Sequence, residues 1–468
     1  MAYYVLPGSL SEFAMIIVSM YFYYCWGWQY PVLLAAGTVL SFFCARLVHS
    51  SNVKAYDQKL RKLILALCLA ANLGLLFFFK YFNFFGSIVN SVFNAAVPAV
   101  SLMLTAGISF WSFQACSYIM DVYRGKTEPE KNFLDYLLYM SFFPKLIQGP
   151  IERAGELIPQ LKEKNEFSFD KVASGLTLFI TGLVKKMIVA DNMALIVNTV
   201  FSKPDAHTGL QLVFASFCYT IQIYMDFSGY TNMARGSALF FGVELRENFN
   251  KPYFAVGVQD FWRRWHMSLT TWFRDYLYFP LGGSRVNRVR HLLNILIVFA
   301  VSGLWHGAAM NFIVWGLLHG IYQVFEILLK PLTSKVAAIF GKRKDLFGFL
   351  RGCFTFLLVN YAWIFFRANS ISDAIFITKR MMLIPFNPLY PFNFSDLGLS
   401  RDNLLVTWGA ALIIFVIEAV KDKIHLSARF NDSVWLRYSV YAVLLLAVFV
   451  FGYYGAGYDP IEFVYFKF

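Results

Sequence analysis

The sequence predicts an all-α polytopic membrane protein with about 10 to 12 membrane crossings and additional re-entrant segments. Of its 468 residues, 58% are hydrophobic and only 15% are charged, whereas a soluble domain carries about 25% charged residues. The 51 Phe, 27 Tyr and 11 Trp residues suit lipid-facing and interfacial positions. Because no stretch has the composition of a soluble domain, we interpret residues 1–468 as a single integral membrane domain.

The basic residues indicate how the chain is oriented in the membrane. The net charge is +13, and Lys and Arg cluster in short loops between apolar runs, as at 54–62 and 342–344. This distribution follows the positive-inside rule and predicts that these loops lie in the cytoplasm. No basic face or recognition module accompanies them, so we expect no nucleic-acid partner.

The six cysteines are interpreted as packing residues, because each lies singly in or beside an apolar segment. They are Cys25, Cys44, Cys68, Cys116, Cys218 and Cys353. The N-terminus has neither a basic region nor a small-residue cleavage site, so no removable signal peptide is predicted.

Apolar runs place the candidate spans along the chain. They lie near residues 12–27, 30–48, 63–79, 98–120, 172–200, 209–226, 349–366, 403–420 and 435–456, with basic loops at 330–351 and 421–429. Lys185, Lys186 and Asp191 interrupt the run at 172–200 and leave its boundaries undefined. After the span that ends at Asp226, small residues such as Gly229 would allow close approach of a second backbone.

Residues 133–153 are apolar but too short and too interrupted for an ordinary span. Pro144, Gly149 and Pro150 break a helix, and Lys145 would be costly if it faced lipid. A re-entrant or interfacial segment buried against protein fits this pattern better. A cytoplasmic amphipathic loop is the alternative.

The segment that begins at Phe261 is rich in aromatic and basic side chains. A helix over residues 261–274 would bring onto one stripe Trp262, Trp265, His266, Leu269 and Phe273. Arg263, Arg264 and Met267 would lie elsewhere, where the arginines can face water or phosphate. A lone histidine on such a stripe is more often a packing residue, and that alternative stays open.

Residues 292–318 form an uncharged apolar run, long enough to enter or cross a bilayer, with His306 near its middle. His306 would share a stripe with Gly303 and Met310, where glycine lets a backbone or a slim substrate approach. His319 follows near the end of the run. A buried imidazole is costly in a membrane and can remove a hydroxyl proton near neutral pH, which suggests a general base.

Other catalytic chemistries find less support in the sequence. Zinc is the competing use of clustered histidines, but no cysteine or carboxylate has familiar ligand spacing, so no metal site is predicted. There is no Gly-x-Ser-x-Gly elbow and no phosphate-binding glycine loop. Residues 280–285 could form a turn whose backbone donors and Arg285 meet an anion. Equally, Gly282 and Gly283 could simply connect two membrane segments.

Several sequence segments resemble the membrane-bound O-acyltransferase family, in particular its bacterial branch of alginate O-acetyltransferases. In order, they are FPKLIQGPIER at 143–153, DFSGYTNMARG at 226–236, ENFNKPY at 247–253, FWRRWHMSLTTWFRDYLYFPLGGSR at 261–285, SGLWHG at 302–307 and WGLLHG at 315–320. They place a catalytic core at about 133–320. The teichoic-acid D-alanyltransferases resemble it at WHMSL and WHG but lack PLGGSR, which favours acetylation here.

The resemblance implies a ring of transmembrane helices around a central tunnel, which joins a cytoplasmic donor to an acceptor on the outer face. The near-invariant histidine of the family corresponds to His306, and its second polar position corresponds to His266. The side chains implied to line the tunnel are Trp262, Trp265 and Trp305. Arg263 and Arg264 could contact donor phosphates, or they could have a structural or topological role.

The resemblance also implies a reaction. Acetyl-CoA, a substrate and not a bound cofactor, would donate an acetyl group toward a hydroxyl of an exported polysaccharide through an extracytoplasmic partner protein. His306 would remove the hydroxyl proton, His266 would position the acceptor or stabilise developing charge, and His319 would support them. The expected location is the bacterial plasma membrane, where the chain would cross the lipid bilayer many times.

Two alternatives stay open at this point. The first is D-alanyl transfer from a carrier protein to teichoic acid. The second is a non-enzymatic glycan transporter, whose transport would survive the loss of His306.

Overall fold

The computed structural model describes residues 2–54, 56–101, 106–163, 165–383, 397–420, 433–455 and 461–464, and all regular structure in these ranges is helical. The α-helices are α1 (Ala2–Val5), α2 (Gly8–Tyr24), α3 (Gln29–Val53), α4 (Gln58–Leu76), α5 (Phe82–Phe93), α6 (Ile108–Tyr123), α7 (Phe133–Ser141), α8 (Phe143–Leu146), α9 (Ala154–Lys162), α10 (Phe169–Leu183), α11 (Asp191–Ser202), α12 (Gly209–Leu239), α13 (Val258–Trp262), α14 (Met267–Phe273), α15 (Arg288–His306), α16 (Met310–Leu328), α17 (Lys330–Phe340), α18 (Lys344–Arg367), α19 (Ile371–Leu383), α20 (Arg401–Val420) and α21 (Val434–Phe451). Wider π-helical turns occur at Phe77–Tyr81, Val184–Ala190 and Arg274–Tyr278, and 3₁₀ turns at Pro204–Ala206, Pro252–Phe254 and Gly341–Arg343.

Within the described ranges, 8 helical segments are long and apolar enough to cross a membrane. They are Gln29–Asn52, Gln58–Phe93, Phe169–Ser202, Arg288–His306, Met310–Leu328, Asp345–Arg367, Arg401–Val420 and Val434–Phe451. The all-α polytopic prediction is therefore confirmed. The other predicted spans, at 12–27, 98–120 and 209–226, overlap α2, α6 and α12, so the full count of crossings stays a prediction. The basic loop at 421–429 lies outside the described residues.

The chain packs as two compact units. Unit 1 contains Met1–Leu176 and Ala234–Arg246, and unit 2 contains Thr177–Met233 and Glu247–Phe468. Neither unit has the composition of a soluble domain, and the interpretation of the chain as a single membrane domain stays a prediction.

In unit 1, the segment 133–153 is interrupted and buried, as its prolines and glycine predict. Helices α7 and α8 are short, and the chain after them is irregular until α9 begins at Ala154. The Lys145 side chain is fully buried, where its Nζ donates to Oε1 of Gln114 and lies 4.5 Å from the centre of the Tyr139 ring. This lysine is therefore sheltered by protein, although the depth of the segment in the membrane stays a prediction.

The charges that interrupt the run at 172–200 pair with one another inside unit 2. Nζ of Lys186 lies 2.7 Å from Oδ1 of Asp191 and 2.9 Å from Oδ1 of Asp226 on α12. The other carboxylate oxygen of Asp226 accepts the backbone N–H of Val464 over 2.9 Å, and Lys186 also donates to the carbonyl of Ile461. Because these charges satisfy one another, the helix continues through them as a π-helical turn and reaches Ser202.

Small residues bring helices close together in unit 2, as predicted. A Cβ atom on Gly229 would lie only 3.0 Å from the carbonyl oxygen of Gly182. A Cβ atom on Gly303 would collide with the carbonyl oxygen of Phe312, which lies on the next helix. The prediction of close backbone approach at Gly303 is therefore confirmed.

The run at 292–318 is not one helical segment. Helix α15 ends at His306, and α16 begins at Met310 and folds back against α15. Met310 therefore does not share a helical stripe with His306, and that prediction is wrong. An apolar run does not reveal this break, because Gly307 and the two alanines after it are as apolar as the helices that they connect.

Candidate active site

The backbone from Arg263 to His266 forms a turn instead of a continuous helix. Helix α13 ends at Trp262, α14 begins at Met267, and His266 between them has a left-handed backbone with φ of 43°. Residues 248–250, which precede α13 in the chain, form backbone hydrogen bonds with this turn. The N–H of Asn250 donates to the carbonyl of Arg264, and the N–H of Met267 donates to the carbonyl of Asn248, each over 2.9 Å.

The predicted helix over 261–274 is therefore wrong, because these contacts with 248–250 outweigh local helical periodicity. The side chains predicted on its buried stripe are nevertheless all buried, namely Trp262, Trp265, His266, Leu269 and Phe273. Arg263 is exposed, and Nε of Arg264 pairs with Oδ1 of Asp260 over 2.9 Å. The sequence therefore predicted which side chains are buried, but not the backbone that carries them.

The hydrogen bonds around Asn248 define the tautomer of His266. Oδ1 of Asn248 lies 3.1 Å from the backbone nitrogen of Ser268, 2.9 Å from its hydroxyl and 3.2 Å from Nδ1 of His266. A backbone N–H can only donate, so this Asn248 atom is the carbonyl oxygen, which can only accept. Nδ1 of His266 therefore carries the proton, and Nε2 carries the lone pair.

Burial also lowers the pKa of His266 to about 3. An imidazole with that pKa stays neutral at physiological pH. The single N–H of the neutral ring, at Nδ1, points at Asn248, so Nε2 is the ring nitrogen that can accept a proton or a hydrogen bond.

His306 is the last residue of α15 and is buried among aromatic rings. Its ring centre lies 4.9 Å from that of Trp305, 4.9 Å from that of Trp315 and 5.3 Å from that of Phe366. The Trp305 ring also lies 6.0 Å from His266. One indole therefore contacts both histidines of the predicted catalytic pair.

His319 belongs to the same cluster. It is fully buried on α16, accepts a hydrogen bond from Nε1 of Trp262 over 3.2 Å, and lies 5.1 Å from the ring of Trp315. The Trp315 ring therefore lies against both His306 and His319. Trp265 joins the cluster through Trp363, with 5.1 Å between their ring centres.

A cavity of about 300 Å³, here called the inner cavity, opens beside this cluster. Trp262 and Ser302 line its deep part, and the exposed Arg263 and Arg274 lie at its edge. His291, near the beginning of α15, also lines it. Basic residues surround this end of the α15–α16 pair, and its location in the cytoplasm, which the positive-inside rule predicts, stays a prediction.

A second cavity of about 390 Å³, here called the outer cavity, lies at the other end of α15. Phe312 and Phe366 line it, and Phe366 is also in contact with His306. Ala309, in the connection between α15 and α16, is part of its wall. Each cavity is therefore separated from a cluster histidine by one aromatic side chain.

The remaining predicted site residues lie apart from the cavities. Arg285 is exposed in a turn that contains Gly282 and Gly283 with φ of 103° and 57°. Nδ2 of Asn294 donates to the carbonyl of Gly283 over 3.1 Å and fixes this turn to α15. The predicted turn is confirmed, and an anion contact by Arg285 stays a prediction. The described residues contain no group of three or more His, Cys, Asp or Glu side chains suited to a metal ion.

Comparison with known proteins identifies the family. The sequence model of the membrane-bound O-acyltransferase family matches residues 130–366, which include the whole aromatic cluster. The chain belongs to this family. It is 34% identical to the peptidoglycan O-acetyltransferase of Helicobacter pylori over 477 residues. This aligned region covers 93% of this chain and 88% of that protein. The chain is thus a membrane-bound O-acyltransferase with several membrane-spanning helices.

Two further relatives differ in coverage. The protein named probable alginate O-acetylase of Azotobacter vinelandii is 36% identical over 80% of this chain and 72% of its own length. The teichoic acid D-alanyltransferase of Bacillus subtilis is 30% identical over only 49% of this chain and 61% of its own length. The O-acetyl-transferring relatives therefore resemble more of this acyltransferase.

Sequence reasoning did not assign a role to several residues that shape the site of this acyltransferase. Asn248 fixes the tautomer of His266, and Trp315 and Phe366 enclose His306. Asn248 and Trp315 lie in the segments ENFNKPY and WGLLHG, which signalled the family without indicating these contacts. Phe366 lies in an apolar span, where no sequence pattern distinguishes it from other packing residues.

Proposed function

We propose that this acyltransferase moves an acetyl group from acetyl-CoA in the cytoplasm across the membrane toward a hydroxyl of an exported polysaccharide, through an extracytoplasmic partner protein. The observation that carries the proposal is the position of the histidine cluster between two cavities. Trp262 lines the inner cavity and hydrogen-bonds to His319, whereas Phe366 lines the outer cavity and contacts His306. The names of two relatives, which refer to peptidoglycan and alginate, favour a polysaccharide acceptor.

The inner cavity suits the donor. Its deep part is apolar, with Leu269 and Phe299 beside Trp262, and could hold the acyl thioester arm. The guanidinium group of the exposed Arg263 at its edge could bind the CoA phosphates. Arg264 and Arg274 are less suited to this role, because Arg264 already pairs with Asp260 and Arg274 with Asp275.

His306 acts as the general base in this mechanism. It takes the proton of the acceptor hydroxyl, and the oxygen attacks the thioester carbonyl carbon, so that a C–O bond forms and the C–S bond breaks. The departing CoA thiolate then recovers the proton from the imidazolium of His306. Its position beside the wall of the outer cavity supports this assignment.

His266 positions the acceptor. Its Nε2 lone pair can accept a hydrogen bond from the hydroxyl, whereas its N–H is already donated to Asn248. The neutral ring therefore lacks a proton with which to stabilise a developing oxyanion, so positioning fits the geometry better than charge stabilisation. Trp305 lies against both rings, with 6.0 Å to the centre of His266 and 4.9 Å to that of His306.

An extracytoplasmic protein would carry the acetyl group onward to the polymer, and the bacterial plasma membrane is the proposed location. The bacterial origin of the relatives supports that location. D-alanyl transfer from a carrier protein is the competing reaction, and the smaller coverage of the teichoic acid relative makes it second.

The test uses the purified full chain in lipid nanodiscs with radiolabelled acetyl-CoA. We expect His306→Ala and His306→Gln to lower CoA release and label transfer by about 10²- to 10⁴-fold, since general-base catalysis has that magnitude. His49→Gln is the control, because His49 lies in unit 1 and is partly exposed. All variants are first checked by gel filtration for a folded, monodisperse protein.

The other outcomes decide between the alternatives. Wild-type activity in folded His306 variants would contradict the assignment of the base. If the protein transfers D-alanine from a carrier protein but no acetyl group from acetyl-CoA, the proposed donor is wrong. Glycan transport that survives in His306→Ala, with no acyl transfer by the wild type, would indicate a transporter.

A further inference from the structure

Helix α13 forms part of the wall of the inner cavity. Gln259 and Trp262 in this helix, and Arg263 directly after it, all line the cavity. The helix has only 5 residues, so it is too short to be stable without contacts to the rest of the protein. The contacts that hold α13 in place therefore also determine the shape of the cavity.

Two of these contacts come from α16. At the end of α13, Nε1 of Trp262 donates to Nδ1 of His319 over 3.2 Å. Near its beginning, the backbone N–H of Gln259 donates to Oε2 of Glu326 over 3.0 Å. Glu326 lies about two helical turns after His319 on α16, so α16 holds both ends of α13. The proposed mechanism gives Glu326 no role.

Gly257 provides the space that the Glu326 carboxylate occupies. A Cβ atom on Gly257 would collide with Oε1 of Glu326, and the next nearest atoms are Cδ of Glu326 at 3.1 Å and Nη2 of Arg351 at 3.4 Å. The φ of Gly257 is −176°, an extended conformation that any residue can adopt. A side chain at this position would therefore displace the carboxylate without straining the backbone.

The hydrogen bond of Glu326 matters more for α13 than its ion pair does. Nη2 of Arg351 lies 3.8 Å from Oε1 of Glu326, and the two side chains are 39% and 28% exposed. A partly exposed pair at this distance contributes little to stability. A backbone N–H that donates to a carboxylate forms a stronger, charge-assisted hydrogen bond. The acceptor oxygen of Glu326 is therefore the group that fixes α13.

We propose that Glu326 is a positioning residue for the acyl donor. By accepting the N–H of Gln259, it holds the α13 wall of the inner cavity in the arrangement that binds the donor. Glu326 is not among the described residues that line the cavity, so it acts through α13 and not by touching the donor. Without the hydrogen bond, the donor must order this wall as it binds, which weakens binding. This inference rests on the proposed function, which assigns the inner cavity to acetyl-CoA.

The experiment makes two measurements on the purified full chain in nanodiscs. Isothermal titration calorimetry gives the Kd of acetyl-CoA, and hydrogen exchange with mass spectrometry reports the protection of backbone amides at 257–263. Glu326→Leu removes the acceptor, Gly257→Ala displaces it, and Glu326→Gln retains a carbonyl oxygen that can accept. Gly352→Ala is the matched control, because its added Cβ would lie 3.6 Å from the carbonyl oxygen of Ala255, an ordinary contact.

We expect Glu326→Leu and Gly257→Ala to raise the Kd of acetyl-CoA by about 2- to 12-fold, the effect of one lost hydrogen bond. Both should also exchange faster at 257–263. Glu326→Gln and Gly352→Ala should match the wild type in both measurements, and so should Arg351→Gln, because the ion pair is partly exposed. A residue that served only overall stability would change the amount of folded protein, but not the Kd of the folded fraction.

The remaining outcomes separate this inference from the proposed function. Faster exchange in Glu326→Leu with an unchanged Kd would overturn the positioning role. Unchanged exchange in Glu326→Leu and Gly257→Ala, or weak binding by Glu326→Gln, would show that the hydrogen bond is not the cause. If the wild type binds no acetyl-CoA, the proposed donor is wrong, and the exchange rates alone decide whether Glu326 holds α13.

Discussion

The indole Nε1 of Trp262 donates a hydrogen bond to Nδ1 of His319 over 3.2 Å, and both side chains are buried. An indole N–H can only donate, so Nδ1 of His319 is unprotonated and the neutral ring carries its proton on Nε2. His266 is the reverse, with its proton on Nδ1. At Nε2, therefore, the two histidines of the aromatic cluster differ: His319 carries an N–H there, and His266 carries a lone pair.

Replacing Trp262 with Phe should lower the free energy of unfolding by about 1–3 kcal/mol, because the buried Nδ1 of His319 loses its donor. Thermal unfolding of the purified protein, followed by gel filtration of the heated samples, would measure this. Trp28→Phe serves as the control, since Trp28 is 63% exposed and should tolerate the change. Equal losses in the two variants would show that the hydrogen bond contributes nothing specific.

Asn248→Asp should change the pH dependence of acyl transfer. In the wild type, burial holds the pKa of His266 at about 3, so this ring contributes no change in charge between about pH 5 and 8. A carboxylate beside Nδ1 favours the protonated ring and raises that pKa. Nε2 then becomes protonated as the pH falls through the raised pKa, and kcat should fall on the acidic side.

The measurement is a pH–rate profile of acetyl transfer for the Asn248→Asp variant and the wild type. Asn403→Asp, an exposed change at the beginning of α20, controls for the added charge. Identical profiles for all three proteins would refute the predicted tautomer and its role.

Two substitutions at His266 should separate its backbone role from its imidazole. Asn adopts left-handed backbone readily, so His266→Asn should retain nearly the wild-type stability. His266→Val places a β-branched residue at the same positive φ and should cost about 1–2 kcal/mol more. Both should reduce kcat by about 10²-fold, because neither places a hydrogen-bond acceptor where Nε2 orients the acceptor hydroxyl. A stable and active His266→Asn protein would exclude the imidazole from the reaction.

Gly303→Ala should destabilise the α15–α16 pair by about 1–3 kcal/mol, since the new methyl group meets the carbonyl of Phe312 and the helices must separate. Acyl transfer should fall with it, because His306 lies three residues further along α15. Gly409→Ala is the matched control. It lies in α20 with no atom within 4 Å of the added Cβ, so it should be neutral or slightly stabilising. Thermal unfolding of the two variants, compared in one detergent, would decide the point.

The sequence alone predicted the features that depend on composition and on side-chain polarity. Apolar runs predicted the helices around most of the spans, and the stripe through Trp262 and His266 predicted their burial. The segments from FPKLIQGPIER to WGLLHG predicted the family, which the match over 130–366 confirms. The catalytic roles of His306 and His266 stay predictions.

The features that depend on long-range contacts were not predictable in this way. The helix break before Met267 requires Asn248 and Asn250 to approach from an earlier segment, and local periodicity contains no information about that approach. The break after His306 falls in a run where the helices and their connection are equally apolar. The two cavities likewise form only where several helices meet.

The ion pair between Lys186 and Asp226 has a consequence for biosynthesis. Asp226 accepts the N–H of Val464, which is 238 residues further along the chain, and Lys186 donates to the carbonyl of Ile461 at a separation of 275 residues. At a synthesis rate of about 5–20 residues per second, these backbone partners emerge roughly 12–55 s after the charges that they contact. Until then, the ion pair lacks these two backbone contacts, so this part of unit 2 can reach its final packing only at the end of translation.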